Sequence, residues 1–191
     1  MFHLAHEQGF RGLLTIATAQ RGVVLIGGGH AEEGISQLRE GLDHSAGAVD
    51  HLRPMYLASL AEGYGMIGRV EEGFAAIAEA MALVESTRVC VYESELNRLK
   101  GELTLKRPEA SNSELQEEAE TCFRQALKVA RLQSAKSWEL RATMSLARLL
   151  AKQGRLDEAR MMPADIYGWF TEGFDTADLK DAKALLDELN R

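Results

Sequence analysis

The sequence is short of most of what would point to a sheet, a membrane span or a metal centre. Its 191 residues include three prolines, two cysteines and 6% aromatics. So few prolines and aromatics argue against a β-sandwich. With 46% hydrophobic residues they also argue against a disordered chain. Cys90 and Cys122 stand in no CxxC or metal-spaced pair, and both fall in or beside helical apolar patterns. They are expected to be reduced, buried thiols of a cytoplasmic protein. The longest apolar run, Val23-Val24-Leu25-Ile26, is too short to cross a bilayer. Met1-Phe2-His3-Leu4-Ala5-His6-Glu7 lacks the basic start and long apolar core of a signal peptide. Positive charge is scarce as well, 22 Lys and Arg against 29 Asp and Glu, for a net charge of −7. Phosphate backbones and anionic bilayers are bound by basic stripes, so neither nucleic acid nor membrane is expected as a partner.

The chemistry-bearing motifs are also missing. Gly27-Gly28-Gly29 follows an apolar run, as a nucleotide loop would, but Gly34 leads into Ile35-Ser36 with no Lys to meet a phosphate. A dinucleotide fingerprint would need glycine where Glu32 stands. His3 and His6 would share a helical face, yet no carboxylate at a matching offset completes a metal set. His30, His44 and His51 sit at turns and are read as surface residues. No nucleophile–base arrangement can be assembled from local sequence. The chain is therefore read as a non-enzyme with no cofactor and no metal.

What the chain does have is a repeated turn into a helix, Ile67-Gly68-Arg69-Val70-Glu71-Glu72-Gly73-Phe74. Ala31-Glu32-Glu33-Gly34-Ile35 is an earlier copy, and Gln153-Gly154-Arg155-Leu156-Asp157-Glu158-Ala159-Arg160 a later one. Glu117-Glu118-Ala119-Glu120 is a relative with a stretched turn. The small residues Gly34, Gly73, Ala119 and Ala159 are 39, 46 and 40 apart. Self-similarity near that period predicts stacked helical hairpins.

The expected fold is all-α, a single helical-repeat domain over 1–191. Its hairpins span about 13–46, 54–86, 91–133 and 137–172, and a capping helix spans about 176–190. The first helix is apolar nearly all round, which suggests burial on both sides. Phe74, Ile77, Ala78, Met81 and Val84 are placed inward in the second hairpin. Ser113-Glu114-Leu115-Gln116 reads as a capping box, with Ser113 as the cap. Pro163 is expected to kink or break its helix. Asp175 is expected to cap the last helix, whose stripe is Leu179, Ala182, Leu185, Leu186 and Leu189.

A small residue, then a large apolar one, then Ala or Gly at offsets 0, 4 and 7 resembles the second helix of tetratricopeptide repeats. It reads Gly34, Leu38, Gly41; Gly73, Ile77, Ala80; and Ala119, Phe123, Ala126. The fourth copy departs, with Ala159, Pro163 and Ile166. Leu60-Ala61 with Tyr64 fits the first-helix pattern, and Leu146-Ala147 with Leu150 fits in part. Phe123-Arg124-Gln125-Ala126-Leu127 through Ser137, and Trp169 through Asp178-Leu179, resemble the C-terminal repeats of large bacterial multidomain proteins. Those proteins join a cyclase or DNA-binding domain to a regulatory ATPase. The resemblance covers about residues 31–189. It implies a right-handed hairpin solenoid serving as a regulatory, protein-binding module, either a fragment or a stand-alone relative. No catalytic residue carries over, because the cyclase and ATPase motifs are absent.

In such a fold the first helix of each hairpin lines the concave wall. That would place Glu95, Arg98 and Glu102 there in the third hairpin, and Arg141, Met144, Arg148 and Lys152 in the fourth. Arg141, Arg148 and Lys152 would form one basic stripe. Two ligands fit it: a protein or peptide partner, or, as the alternative, a small anionic metabolite. The bland reading is a solvated face with its arginines paired to Glu139 or Asp157. On the first helix Ile16, Ala19, Val23 and Ile26 would be exposed unless something covers them. The N-terminal residues, another domain or a second subunit could do so, and a homodimer through the first hairpin is favoured.

Overall fold

The computed structural model describes residues 11–44, 52–108 and 112–190. His3, His6 and His51 lie outside the described residues. Among the described residues the fold is all-α, with nine helices and no strand. The chain divides into two compact units, Met1–Tyr92 and Glu93–Arg191. The first holds α1 (Arg11–Gly27), α2 (Ala31–Asp43), α3 (Arg53–Met66) and α4 (Val70–Thr87). The second holds α5 (Glu93–Thr104), α6 (Ser113–Leu132), α7 (Lys136–Lys152), α8 (Leu156–Tyr167) and α9 (Ala177–Leu189). Within each unit every helix packs on the next. Alternate helices also meet: α1 with α3, α5 with α7, and α7 with α9.

One backbone turn makes the tight connections. Gly29, Gly68, Ser134 and Gly154 all have positive φ, between 54° and 86°. The residue after each has φ near −85 to −91° and opens the next helix. Its amide donates back five residues at 2.9 Å: His30 to Leu25, Arg69 to Tyr64, Ala135 to Ala130 and Arg155 to Leu150. This is the left-handed helix stop that satisfies orphan carbonyls and lets the chain reverse at once. Glycine supplies three of the four copies because it carries no Cβ penalty there. The following helices open with acids, Glu32-Glu33, Glu71-Glu72 and Asp157-Glu158, as the helix dipole favours. Arg69 Nε donates to Glu72 at 2.8 Å and Arg155 Nε to Glu158 at 2.9 Å, so two copies close with the same clasp.

The 0, 4, 7 pattern is the packing seam in all four copies, the irregular one included. Gly34, Leu38 and Gly41, Gly73, Ile77 and Ala80, Ala119, Phe123 and Ala126, and Ala159, Pro163 and Ile166 are all buried. The small residues are there because the helices nearly touch. A Cβ on Gly22 would lie 2.6 Å from Leu38 N, and one on Gly101 would lie 2.5 Å from Phe123 Cε1. The core of the second unit runs from Phe123 and Leu127 through Leu146 and Leu150 to Leu179 and Leu185.

Several local expectations are corrected. Helix α8 runs past Pro163 to Tyr167 without a break, with the proline ring buried. The cap of α6 is Asn112, whose side chain accepts from Glu114 N at 3.0 Å, and Ser113 is the first helical residue. Thr176, not Asp175, precedes α9, and its hydroxyl donates to Gly173 O at 2.7 Å. On α4 the buried side chains are Ala76, Ile77, Ala80 and Val84, while Ala78 is exposed. Cys122 is buried but Cys90 is exposed. Helix α1 is not covered on all sides, since Leu13 and Val24 face solvent.

Candidate functional site

Helices α5, α7 and α9 bring together charges far apart in sequence. Glu95 is the hub. Its Oε2 accepts from Arg98 Nε at 2.8 Å and its Oε1 from Arg98 Nη2 at 2.7 Å. Arg141 Nη1 lies 3.0 Å from the same Oε1. Arg98 continues to Glu102 at 3.6 Å, and Ser145 Oγ donates to Glu102 at 2.6 Å. Arg141 also lies 3.9 Å from Asp178 on α9, with its guanidinium 5.6 Å from the centre of the Trp138 ring. The Glu95 and Arg98 side chains are 6% and 9% exposed, so this fork is inside the fold rather than on it. Charges removed from water this far persist only when paired and hydrogen-bonded, as these are.

The expected residues therefore separate into three kinds. Arg98, Glu102 and Arg141 are assembled on one face, but as members of a network in which three carboxylates meet two arginines. Met144 is 4% exposed and belongs to the core, so it offers no surface contact. Arg148 and Lys152 are exposed, and neither makes a hydrogen bond or ion pair among the described residues. The bland reading had the arginines paired to Glu139 or Asp157; Arg141 pairs with Glu95 and Asp178. Glu139 is held instead by Arg131 Nε at 2.8 Å and Lys136 Nζ at 2.7 Å. Burial alone would raise the Glu139 carboxyl, but these two cations outweigh it and hold it below the usual carboxylate range.

Sequence reasoning did not place Ser145, Trp138 or Asp178 at this face. The Glu95–Arg98 spacing of three was a local signal. The Arg141–Glu95 pair joins α7 to α5, and no local pattern announces it.

The α1 residues are also divided. Ala19 and Ile26 are buried, against α2 and α3 of their own unit: Gly41 closes on Ala19, and Gly34 and Gly63 close on Ile26. That part of the expected exposed patch is covered from within. Ile16 and Val23 are half-buried.

No group of three or more His, Cys, Asp or Glu side chains able to hold a metal exists among the described residues. No helix among them is long and apolar enough to cross a membrane. Comparison with known proteins adds no family: no family model and no curated protein matches the sequence.

Proposed function

We propose that the chain is a non-catalytic, regulatory protein-binding module built from right-handed helical hairpins of tetratricopeptide type. Its partner is a protein or peptide held on the face of α5, α7 and α9. One observation carries this reading: alternate helices lie side by side within each unit, and in the second α5, α7 and α9 bring side chains of separate hairpins onto one face. Such faces are the usual recognition surfaces of helical repeats. The Glu95–Arg98–Arg141 fork fixes that face, and Arg148 and Lys152 stand beside it able to meet a partner's carboxylates. The network's own carboxylates already engage Arg98 and Arg141, which favours a protein partner over a small anionic metabolite.

The test is a pull-down from the native host's lysate with wild type and an Arg148→Glu/Lys152→Glu variant. Both side chains are exposed, so the variant is expected to keep its helicity. Arg141→Glu is a poorer probe because it would set two carboxylates against each other inside the fold. A partner retained by wild type and lost by the variant supports the reading. A partner kept equally by both moves the site off this face, and a melting temperature that rises with an added anionic metabolite would favour the sensor alternative.

A further inference from the structure

A second surface in the Glu93–Arg191 unit is built differently from the face just described. We propose that the groove between α6 and α8 binds an acidic, amphipathic peptide segment. The groove is open, about 450 Å³ in volume, with Leu127, Leu132 and Met162 forming its apolar part. Leu132 is 78% exposed at the end of α6, a large apolar side chain held in water. Arg124, Lys128 and Arg131 line the same groove. They stand at offsets of 4 and 3 along α6, so they share one face over about 10 Å. Beyond Arg131 the row goes on: Glu139 joins Arg131 to Lys136, and the Lys136 ammonium lies 5.8 Å from the centre of the exposed Trp169 ring.

Charge decides the occupant. The whole chain carries −7. Along this surface five cations, Arg124, Lys128, Arg131, Lys136 and Arg155, meet three carboxylates, Glu120, Glu139 and Glu158. Lys128 makes no ion pair or hydrogen bond among the described residues. A net positive strip attracts a negative partner and disfavours pairing with the same strip of a second copy. The apolar part of the groove narrows the class further. A phosphodiester strand presents charge but no aliphatic side chain for Leu132 and Met162, whereas an acidic helix with Leu, Ile or Phe on one face presents both. Methionine suits such a site because its unbranched side chain adapts to the occupant.

The experiment is selection from a random peptide library displayed on phage, with the full chain as bait and a Lys128→Glu/Leu132→Ser variant as counter-bait. Both positions are exposed, and circular dichroism melting verifies that the variant is folded. Enriched sequences are expected to combine several Asp or Glu with large apolar residues at helical spacing. A synthetic peptide of that sequence should bind about tenfold more weakly to either single variant, as expected when a central contact is lost. Its affinity should also fall as salt rises. Four results would overturn the proposal: no enrichment over the counter-bait, enrichment of basic or neutral peptides, binding that responds to Arg148→Glu/Lys152→Glu but not to Leu132→Ser, or capture only by vesicles containing phosphatidylserine. The third would leave a peptide-binding module standing and reject only this groove, so the two sites fail separately.

Discussion

Glu95→Ala is the sharpest perturbation of the second unit. The carboxylate is 6% exposed and accepts both parallel bonds of the Arg98 guanidinium, itself 9% exposed, along with a contact from Arg141. Removing it takes both parallel bonds from Arg98 inside the fold, where Glu102 lies at 3.6 Å and the Ser145 hydroxyl at 3.5 Å. Breaking a buried pair from one side costs about 3–5 kcal/mol, most of it the penalty of the stranded charge. Arg141 is 26% exposed and keeps Asp178, so it recovers water and contributes little to that penalty. The expected loss is therefore near the lower end, about 3 kcal/mol. With a urea slope of about 1.5 kcal/mol per molar, the midpoint should fall by roughly 2 M. Tryptophan fluorescence is the right probe, since the two tryptophans, Trp138 and Trp169, both lie in the unit that holds Glu95. The control is Glu95→Leu/Arg98→Met, which removes both charges and should cost much less, because a hydrophobic replacement of a buried pair is often near neutral. A single variant losing under about 1 kcal/mol, or a double losing as much as the single, would refute the stranded-charge argument.

Three further outcomes are expected. Gly22→Ala should destabilise the first unit by about 2 kcal/mol, the overpacking cost less the helix-propensity gain, because its Cβ would meet the α2 backbone at Leu38 N and Gly34 O. A thermal melt by circular dichroism at or above the wild-type temperature would deny that close approach. In native protein one thiol, Cys90, should react quickly with a disulfide reagent near pH 8. Cys122 should react only on unfolding, since burial both shields it and pushes its thiol up. Glu139 is held below its ordinary range when folded, so its contribution is present above the unfolded carboxylate value and lost as pH falls through the folded one. Stability measured from pH 5 downwards should drop less steeply in Glu139→Gln than in wild type.

The connections were legible in the sequence because their cause is local. A glycine that must take positive φ, followed by a pair of acids at a helix start, is written within a few residues, and Gly29, Gly68 and Gly154 mark their turns directly. The turn at Ser134 was not marked as one of these copies, because Ser134 takes the same backbone without a glycine. Pro163 shows the opposite. Its local rule predicts a kink or a break, and the position belongs to the buried seam, where α8 continues without a break. Cys90 and Val24 misled because an apolar residue near a helical stripe does not reveal whether a neighbour exists to cover it.

The candidate site was the least legible part, and the repeat itself explains why. The positions that recur at a fixed period are those that enter the seam between helices. Small and large apolar residues there are constrained by contacts as close as that of Gly101 with Phe123. The face of α5 and α7 is drawn from the remaining positions, which the repeat does not constrain. Its contacts also skip a helix: Arg98 reaches Ser145 over 47 residues, and Ser145 reaches Glu102 over 43. Any charge pattern read along α7 alone, such as the Arg141, Arg148 and Lys152 stripe, therefore counts cations without the carboxylates that α5 and α9 set opposite them. The stripe holds as a row of residues, but as a field it is cancelled at Arg141 and open at Arg148 and Lys152. The α6 surface is the reverse case: Arg124, Lys128 and Arg131, taken with Lys136 and Arg155, outnumber Glu120, Glu139 and Glu158, and Lys128 meets no acid among the described residues. Across an alternate-helix stack, net charge must be taken over three neighbouring helices before it can name a partner.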